Sequence, residues 1–188
     1  LQEVGFGSLP SAVVLQTVGA LQSRVIKSSD LLDLDKQGFI DTWPQAVSAI
    51  KLAVDYFRNG LRIPVSKLLP YPHFVILFAY FFSKHPGSPE GETKKLLTDF
   101  FWRISMGTWY SRSTEARVEA DLKKIDSILG GVQPKYELDV DVCPQAIANH
   151  GWFRTGRAWV KAILCLYAYK RPQSFSTGAS VRISSAWL

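Results

Sequence analysis

The stretch "HFVILFAYFFS", residues 73–83, contains the longest run of apolar side chains in the chain. A helix drawn from it is apolar on nearly every side, so we expect it to be the most deeply buried helix of a globular core, beginning near Pro72. Its apolar run, "FVILFAYFF", has nine residues, whereas a membrane-spanning helix needs roughly 20. We therefore predict a buried core helix and no membrane partner.

Upstream of this stretch, two segments carry apolar residues at helical spacing. The first contains Val14, Val18, Leu21 and Val25, and the second contains Trp43, Val47, Ile50, Val54 and Phe57. In the second segment we expect Pro44 in the first turn of the helix and Gly60 just past its end.

Downstream, three more segments have the same periodicity. Their apolar positions are Leu97, Phe100, Phe101 and Ile104 in the first, Val118, Leu122, Ile125 and Leu129 in the second, and Trp159, Ile163, Leu166 and Tyr167 in the third. We expect Ser88 to cap the first helix with Pro89 in its first turn, and Thr155 or Gly156 to open the last, which continues to Tyr169. Residues 132–143 predict no helix, and "KYELDVDV" alternates as an extended segment does.

The predicted fold class is therefore all-α, an irregular multi-helix domain of about six to eight helices in which residues 1–188 form a single helical domain. The predicted core consists of Phe74, Leu77, Phe78, Phe81, Phe100, Phe101, Val118, Leu122, Ile163 and Leu166. A composition of 47% apolar and 20% charged residues is typical of a globular protein. Two Cys residues cannot form a disulfide framework, and with no secretory pattern at the N-terminus we expect a cytoplasmic protein.

Charge is distributed unevenly along the chain. Residues 144–188 carry six of the 22 Lys and Arg residues and none of the 16 Asp and Glu residues, so the whole net charge of +6 lies there. The six are Arg154, Arg157, Lys161, Lys170, Arg171 and Arg182. Such a segment is typical of a contact with an anionic partner, either the phosphates of DNA or an acidic protein surface.

The spacing of Arg154, Arg157 and Lys161 predicts that they share one face in the N-terminal half of the last helix. Because the helix dipole disfavours cations at that end, an anion should offset them. Asp139 and Asp141 could do so within the chain, and a phosphate backbone is the alternative.

Residues for catalysis or metal binding are not gathered in any recognisable motif. His73, His85, His150 and Cys143 lack the spacing of a zinc site, and no phosphate-binding loop or nucleophile elbow occurs. We predict no catalytic residues, no metal and no cofactor for this chain.

The stretch "FFWRISMGTWYSRSTEARVEADLKKI", residues 100–125, has the residue types of an active site. Arg103 and Arg112 flank Trp109 and Tyr110, which predicts cation–π stacking, or alternatively a pocket for a flipped base. Gly107 interrupts the apolar pattern and "SRST" restarts it, so we expect two packed helices and their junction.

The order of four stretches resembles the helical region of bacterial proteins of the domain-of-unknown-function-262 type, the GmrSD-like modification-dependent restriction proteins. The stretches are "KLLPYPHFVILFAYFF", "LLTDFFWRISMGTWYSRSTEARVEADLKKI", "KAILCLYAYKRPQSFSTGASV" and "RISSAWL".

This resemblance implies that the chain is a fragment of a longer protein, with an N-terminal nucleotide-binding domain before it and a His-rich HNH-type segment after it. The parent would be a nucleotide-dependent endonuclease of restriction or phage defence. This chain would be its non-catalytic scaffold, contacting DNA non-specifically and the parent's other domains. The alternative is a self-contained helical protein-interaction domain with a basic face for an acidic partner.

Overall fold

A computed structural model describes residues 1–107, 109–111, 114–137, 140–149 and 151–181. These residues contain seven α-helices and no β-strand, which confirms the predicted all-α domain of six to eight helices. The helices are α1 (Ser11–Ser23), α2 (Lys36–Asp55), α3 (Phe74–Lys84), α4 (Gly91–Met106), α5 (Thr114–Leu129), α6 (Pro144–Asn149) and α7 (Ala158–Tyr169). Not one of the helices described is both long enough and apolar enough to cross a membrane.

Helix α3 lies at the centre of the molecule. Every residue from 74 to 82 is buried, because α1, α2 and α5 all pack against it. Phe78 is surrounded by other rings, with 4.8 Å between its centroid and that of Phe57. The rings of Phe74 and Phe101 are also 4.8 Å apart, which joins α4 to the same cluster. The prediction of a deeply buried central helix is confirmed.

Two residues of the predicted core are placed differently. Phe74, Leu77, Phe78, Phe81, Phe100, Phe101, Val118 and Leu122 are buried as predicted. Ile163 is only half-buried, and Leu166, with 38% of its surface exposed, was wrongly assigned to the core. The reason is that α7 packs mainly against α4 and the short turn Ser66–Leu68, so its outer side, including Tyr167, faces solvent.

Three helices begin elsewhere than predicted. Helix α2 starts at Lys36 and contains Pro44 in its interior, because the Asp35 carboxylate accepts a hydrogen bond from the Gly38 N–H at 2.5 Å and caps the helix early. Helix α4 is preceded by Glu90, not by Ser88, at the N-cap position. Helix α7 begins at Ala158, two to three residues later than expected, and ends at Tyr169 as predicted.

Helix α7 is held against the rest of the molecule by a few specific contacts. The buried Cys165 thiol donates to the Leu68 carbonyl, with 3.2 Å between sulfur and oxygen. At the end of the helix, the Arg62 guanidinium donates to the Tyr169 carbonyl at 2.9 Å. Trp102 of α4 packs edge-on against the Tyr169 ring, with the centroids 6.0 Å apart. These contacts fix the position of the basic C-terminal segment.

The two leucines at positions 77 and 166 provide a matched test of this packing. We expect Leu77→Ala to lower the free energy of unfolding by about 2–5 kcal/mol, since it leaves a cavity in the centre of the core. We expect Leu166→Ala to lower it by less than about 1 kcal/mol, because that side chain is partly in water already. Urea unfolding of both variants measures the difference, and equal losses would show that the outer side of α7 is covered.

Candidate nucleic-acid interface

The predicted basic residues do not share a helix face. Arg154 and Arg157 precede α7, and Arg157 occupies its N-cap position with an extended backbone. A turn through Thr155 and Gly156 is closed by a hydrogen bond from the Arg157 N–H to the Arg154 carbonyl at 2.9 Å. Because this turn delays the start of the helix, only Lys161 of the predicted trio lies on α7. The prediction of one cationic helix face is therefore wrong.

Lys161 differs from the other cations in its surroundings. Its side chain is half-buried along α7, and burial lowers the pKa of its ammonium group, although the nearby Cys165 acts in the opposite direction. Arg154, by contrast, is exposed. Lys161 therefore contributes less to an outward-facing anion site than its sequence position suggested.

Lys170 and Arg171 are exposed at the C-terminal end of α7. The Lys170 N–H donates to the Leu166 carbonyl at 3.0 Å, and the Arg171 N–H donates to that of Ala168 at 3.2 Å. Cations are favourable at this end of a helix, because the helix dipole is negative there. These two residues are thus presented to solvent on an ordered helix terminus.

Two predicted residues, Arg182 and Asp139, lie outside the described residues. The Asp141 carboxylate accepts a hydrogen bond from the Cys143 N–H at 2.9 Å, which lowers the pKa of that carboxyl. This contact orders the chain just before α6. The pairing of Asp139 and Asp141 with the basic residues stays a prediction.

The structure adds two cations that sequence reasoning missed. Arg62 lies at the C-terminal end of α7, with its guanidinium 5.6 Å from the centroid of the Tyr169 ring. Lys67 is exposed in the turn Ser66–Leu68, which packs against α7. Both come from a part of the chain whose net charge is zero, and only tertiary packing brings them beside residues 158–171. No local sequence signal could have identified them.

A groove of about 750 Å³ opens beside these cations. Leu164 and Tyr167 of α7 form one wall together with Leu68, and residues 172–176 with Val181 form the other. Phe153 and Thr155 complete the lining. The groove is thus mainly apolar, with hydroxyl and amide groups from Thr155, Gln173, Ser174 and Ser176.

The second wall is a tight turn held by backbone hydrogen bonds. Ser174 N–H donates to the Ala179 carbonyl at 2.9 Å, and Val181 N–H donates to the Pro172 carbonyl at 2.8 Å. A single antiparallel bridge between Gln173 and Ser180 continues the pairing. This arrangement projects the Phe175 ring fully into solvent at the tip of the turn.

Phe153, Tyr167 and Phe175 line the groove with exposed aromatic rings, and Trp152 precedes Phe153 in the chain. Trp152 is 83% exposed, Tyr167 62% and Phe153 59%. Together with Phe175 they make a concentration of apolar surface that a folded domain normally buries. This apolar surface, with exposed cations at the adjoining positions 67, 154 and 171, is the strongest candidate for a binding site among the described residues.

Residues 100–125 have a structural role. They form the end of α4, the turn Trp109–Ser111 and the start of α5, so the predicted pair of packed helices with a junction is confirmed. Trp109 and Tyr110 are 8% and 5% exposed, so their ring faces are occupied by the protein itself. Packing of this kind gives no room for a flipped base at these rings.

Asp121 organises this junction. Its fully buried carboxylate accepts hydrogen bonds from Trp109 Nε1 at 3.1 Å and from the Tyr110 hydroxyl at 2.5 Å, and it pairs with the Lys124 ammonium. Burial raises the pKa of Asp121, while Lys124, Tyr110 and Trp109 oppose that shift. The carboxylate joins the turn to α5 and is satisfied by protein donors.

Two cations that were not predicted there lie beside Trp109, and Arg103 does not. The Arg117 guanidinium and the Lys124 ammonium lie 4.7 and 4.5 Å from the centroid of the indole ring. Arg103 instead donates to Asp99 at 2.9 Å and stacks on Tyr136, while Arg112 lies outside the described residues. Helical spacing explains the difference, because positions 99 and 103 are one turn apart on α4.

The described His, Cys, Asp and Glu residues include no group of three or more that could hold a metal ion. His85 stacks on Phe81, with 5.3 Å between the centroids. His73 is half-buried, and burial lowers the pKa of its imidazole despite the nearby Glu115. His150 lies outside the described residues.

Removing the Asp121 carboxylate should destabilise the protein strongly. We expect Asp121→Ala to lower the free energy of unfolding by about 3–5 kcal/mol, because it leaves a buried ammonium and two buried donors without their acceptor. Asp126→Ala is the matched control, since that carboxylate pairs with Arg24 and Lys84 near the surface and should cost about 1 kcal/mol or less. Chemical denaturation measures both, and a loss at Asp121 no larger than the control would contradict the assigned role.

The two thiols should differ sharply in reactivity. Cys143 is exposed, whereas Cys165 is fully buried and burial raises its pKa to about 12. Because the thiolate is the reactive form, we expect a chromogenic disulfide reagent to modify Cys143 rapidly at neutral pH and Cys165 only after denaturation. Cys143→Ser should abolish the rapid phase. Fast reaction of that variant in the native state would show that α7 is not docked as described.

Comparison with known proteins assigns no family to this chain. No family model, no curated protein and no solved structure matches it.

Proposed function

We propose that this chain is a non-catalytic helical module that contacts nucleic acid through one basic face. The face consists of Arg62, Lys67, Arg154, Lys170 and Arg171. The observation that carries the proposal is the charge of residues 144–188, which contain six cations and no acid. Arg157, Lys161 and Arg182 extend the proposed contact.

Exposed cations of this kind suit a phosphate backbone. Each phosphate that a Lys or Arg neutralises releases condensed counterions, which makes binding favourable without any contact to bases. Arg154, Lys170 and Arg171 are exposed, so their charged groups reach an incoming strand at little cost in desolvation. The Arg62 guanidinium has five N–H donors. One of them donates to the Tyr169 carbonyl.

The similarity of the sequence to GmrSD-like restriction proteins supports a place for this module within a larger protein. In that setting it is the helical scaffold and DNA-contacting part of a bacterial restriction or phage-defence nuclease. Nucleotide binding and strand cleavage then belong to other domains of the parent. The dense core around α3 suits a scaffold, because it holds the basic face at a fixed position.

A second candidate function is a protein-interaction domain that binds an acidic partner. The observation that favours it is the apolar groove of about 750 Å³ beside the basic face, since phosphate contacts alone do not use apolar surface. The two candidate functions predict binding affinities that differ in their dependence on salt concentration and on whether the anionic partner is DNA or an acidic protein.

Neutralising the basic face should weaken DNA binding selectively. We expect the triple variant Arg154→Ala, Lys170→Ala, Arg171→Ala to bind a labelled duplex more weakly than the unmodified chain. The logarithm of the binding constant decreases as the logarithm of the salt concentration rises. The steepness of that decrease should drop by about one unit for each removed cation that contacts a phosphate in the unmodified chain. Binding of the unmodified chain should be insensitive to sequence. Titrations between roughly 50 and 200 mM salt measure the slope.

The matched control is Lys36→Ala, Lys51→Ala, Lys94→Ala, which removes the same charge from exposed positions on α2 and α4. We expect it to leave the slope nearly unchanged, because those residues do not belong to the basic face. The proposal fails if both triple variants bind alike, or if the unmodified chain binds no DNA at low salt.

A further inference from the structure

We propose that the groove between α7 and residues 172–181 binds unpaired nucleobases, so that the ligand of the basic face is single-stranded nucleic acid. This inference rests on the proposed function, and it goes beyond phosphate contact by naming the form of nucleic acid that is bound. It assigns a role to the exposed rings, which a backbone contact does not require.

The chemistry of the groove suits a planar ligand. Three of its lining residues, Phe153, Tyr167 and Phe175, are aromatic, and each is more than half exposed. Base stacking on such rings is a principal source of affinity in single-strand binding, and it tolerates any sequence because every base has a π-face. An aliphatic peptide segment would not need aromatic rings at the mouth of the groove.

A duplex cannot use these rings. Its bases are stacked on one another, so their faces become available only when a strand is unpaired or a base is extruded. The groove of about 750 Å³ falls within the range of roughly 300–1,000 Å³ that small-molecule sites occupy. The groove is therefore large enough for an unpaired nucleobase.

Cations occupy sequence positions next to several residues that line the groove. Arg154 follows Phe153, Lys67 precedes Leu68, and Lys170 and Arg171 directly precede Pro172. A strand that places a base on a ring carries a phosphate one backbone unit away, so cations that adjoin the groove-lining residues suit its repeating pattern. Residues 144–188 supply no acidic side chain that would repel it.

The groove is also formed before any ligand binds. Its α7 wall is fixed by the Cys165 thiol on the Leu68 carbonyl, and its other wall by the hydrogen bonds from Ser174 and Val181. Hydroxyl groups of Ser174 and Ser176 lie 3.0 Å apart at that wall and can exchange hydrogen bonds with base edges. A preformed site loses less conformational entropy on binding.

The test compares a fluorescent oligothymidylate of roughly 15 nucleotides with a duplex of the same length. We expect the unmodified chain to bind the single strand about tenfold more tightly. The double variant Tyr167→Leu, Phe175→Leu keeps apolar side chains but removes two rings, and it should weaken single-strand binding by about tenfold or more while leaving duplex binding unchanged. Tyr167→Phe, Phe175→Tyr keeps both rings and should retain affinity.

Trp43→Leu is the control for loss of an exposed ring elsewhere, since Trp43 is 40% exposed on α2, and it should leave both affinities unchanged. Equal affinity for single strand and duplex, with no effect of the ring substitutions, would overturn the proposal that the groove binds bases. If the triple variant of the basic face still bound single strand and duplex more weakly in that case, the proposed function would stand. Absence of binding to either at low salt would overturn both. Equally tight binding of a polyglutamate peptide, weakened by the same ring substitutions, would also overturn the inference and assign the groove to an acidic protein.

Discussion

The burial of α3 on all sides is the constraint on which the rest of the structure depends. A helix whose residues 74–82 are all buried cannot lie at a surface, so other helices must surround it. Helices α1, α2 and α5 do so directly, and α4 adds Phe100 and Phe101 to the same cluster of rings. Because these helices surround α3, α7 packs mainly against α4 and the turn Ser66–Leu68, which leaves its outer side in water.

Asp121 shows how a polar group gives this apolar core a defined arrangement. The buried carboxylate requires donors in fixed positions, and it obtains them from the turn Trp109–Ser111 and from one turn further along α5. Other packings of the same apolar surfaces would leave that charge without partners at a cost of several kcal/mol. The residues that resemble an active site are therefore used for folding, and the exposed rings near the C-terminus are free for binding.

Predictions from the sequence were correct where one physical rule determines the position of a helix. They were wrong where contacts between distant segments determine the position of a residue. The central helix was predictable because its composition excludes a surface position, and the end of α7 because Pro172 cannot continue a helix. The start of α7 depends on one backbone hydrogen bond at Arg157, which no periodicity reveals. The burial of Asp121 was not predictable, because carboxylates are usually exposed. Arg62 joins the basic face through a hydrogen bond to a residue 107 positions along the chain.

The sparse attachment of α7 has a consequence for the stability of the basic face. Only Val160, Ala162 and Cys165 of this helix are buried, whereas α3 buries nine residues in succession. Segments with fewer buried contacts open at a lower free energy than the global unfolding transition. We therefore expect the backbone amides of α7 to exchange their hydrogens with solvent sooner than those of α3. A ligand that bridges residues 62–68 and 153–181 would stabilise the docked position of α7, while the central helices stay unchanged.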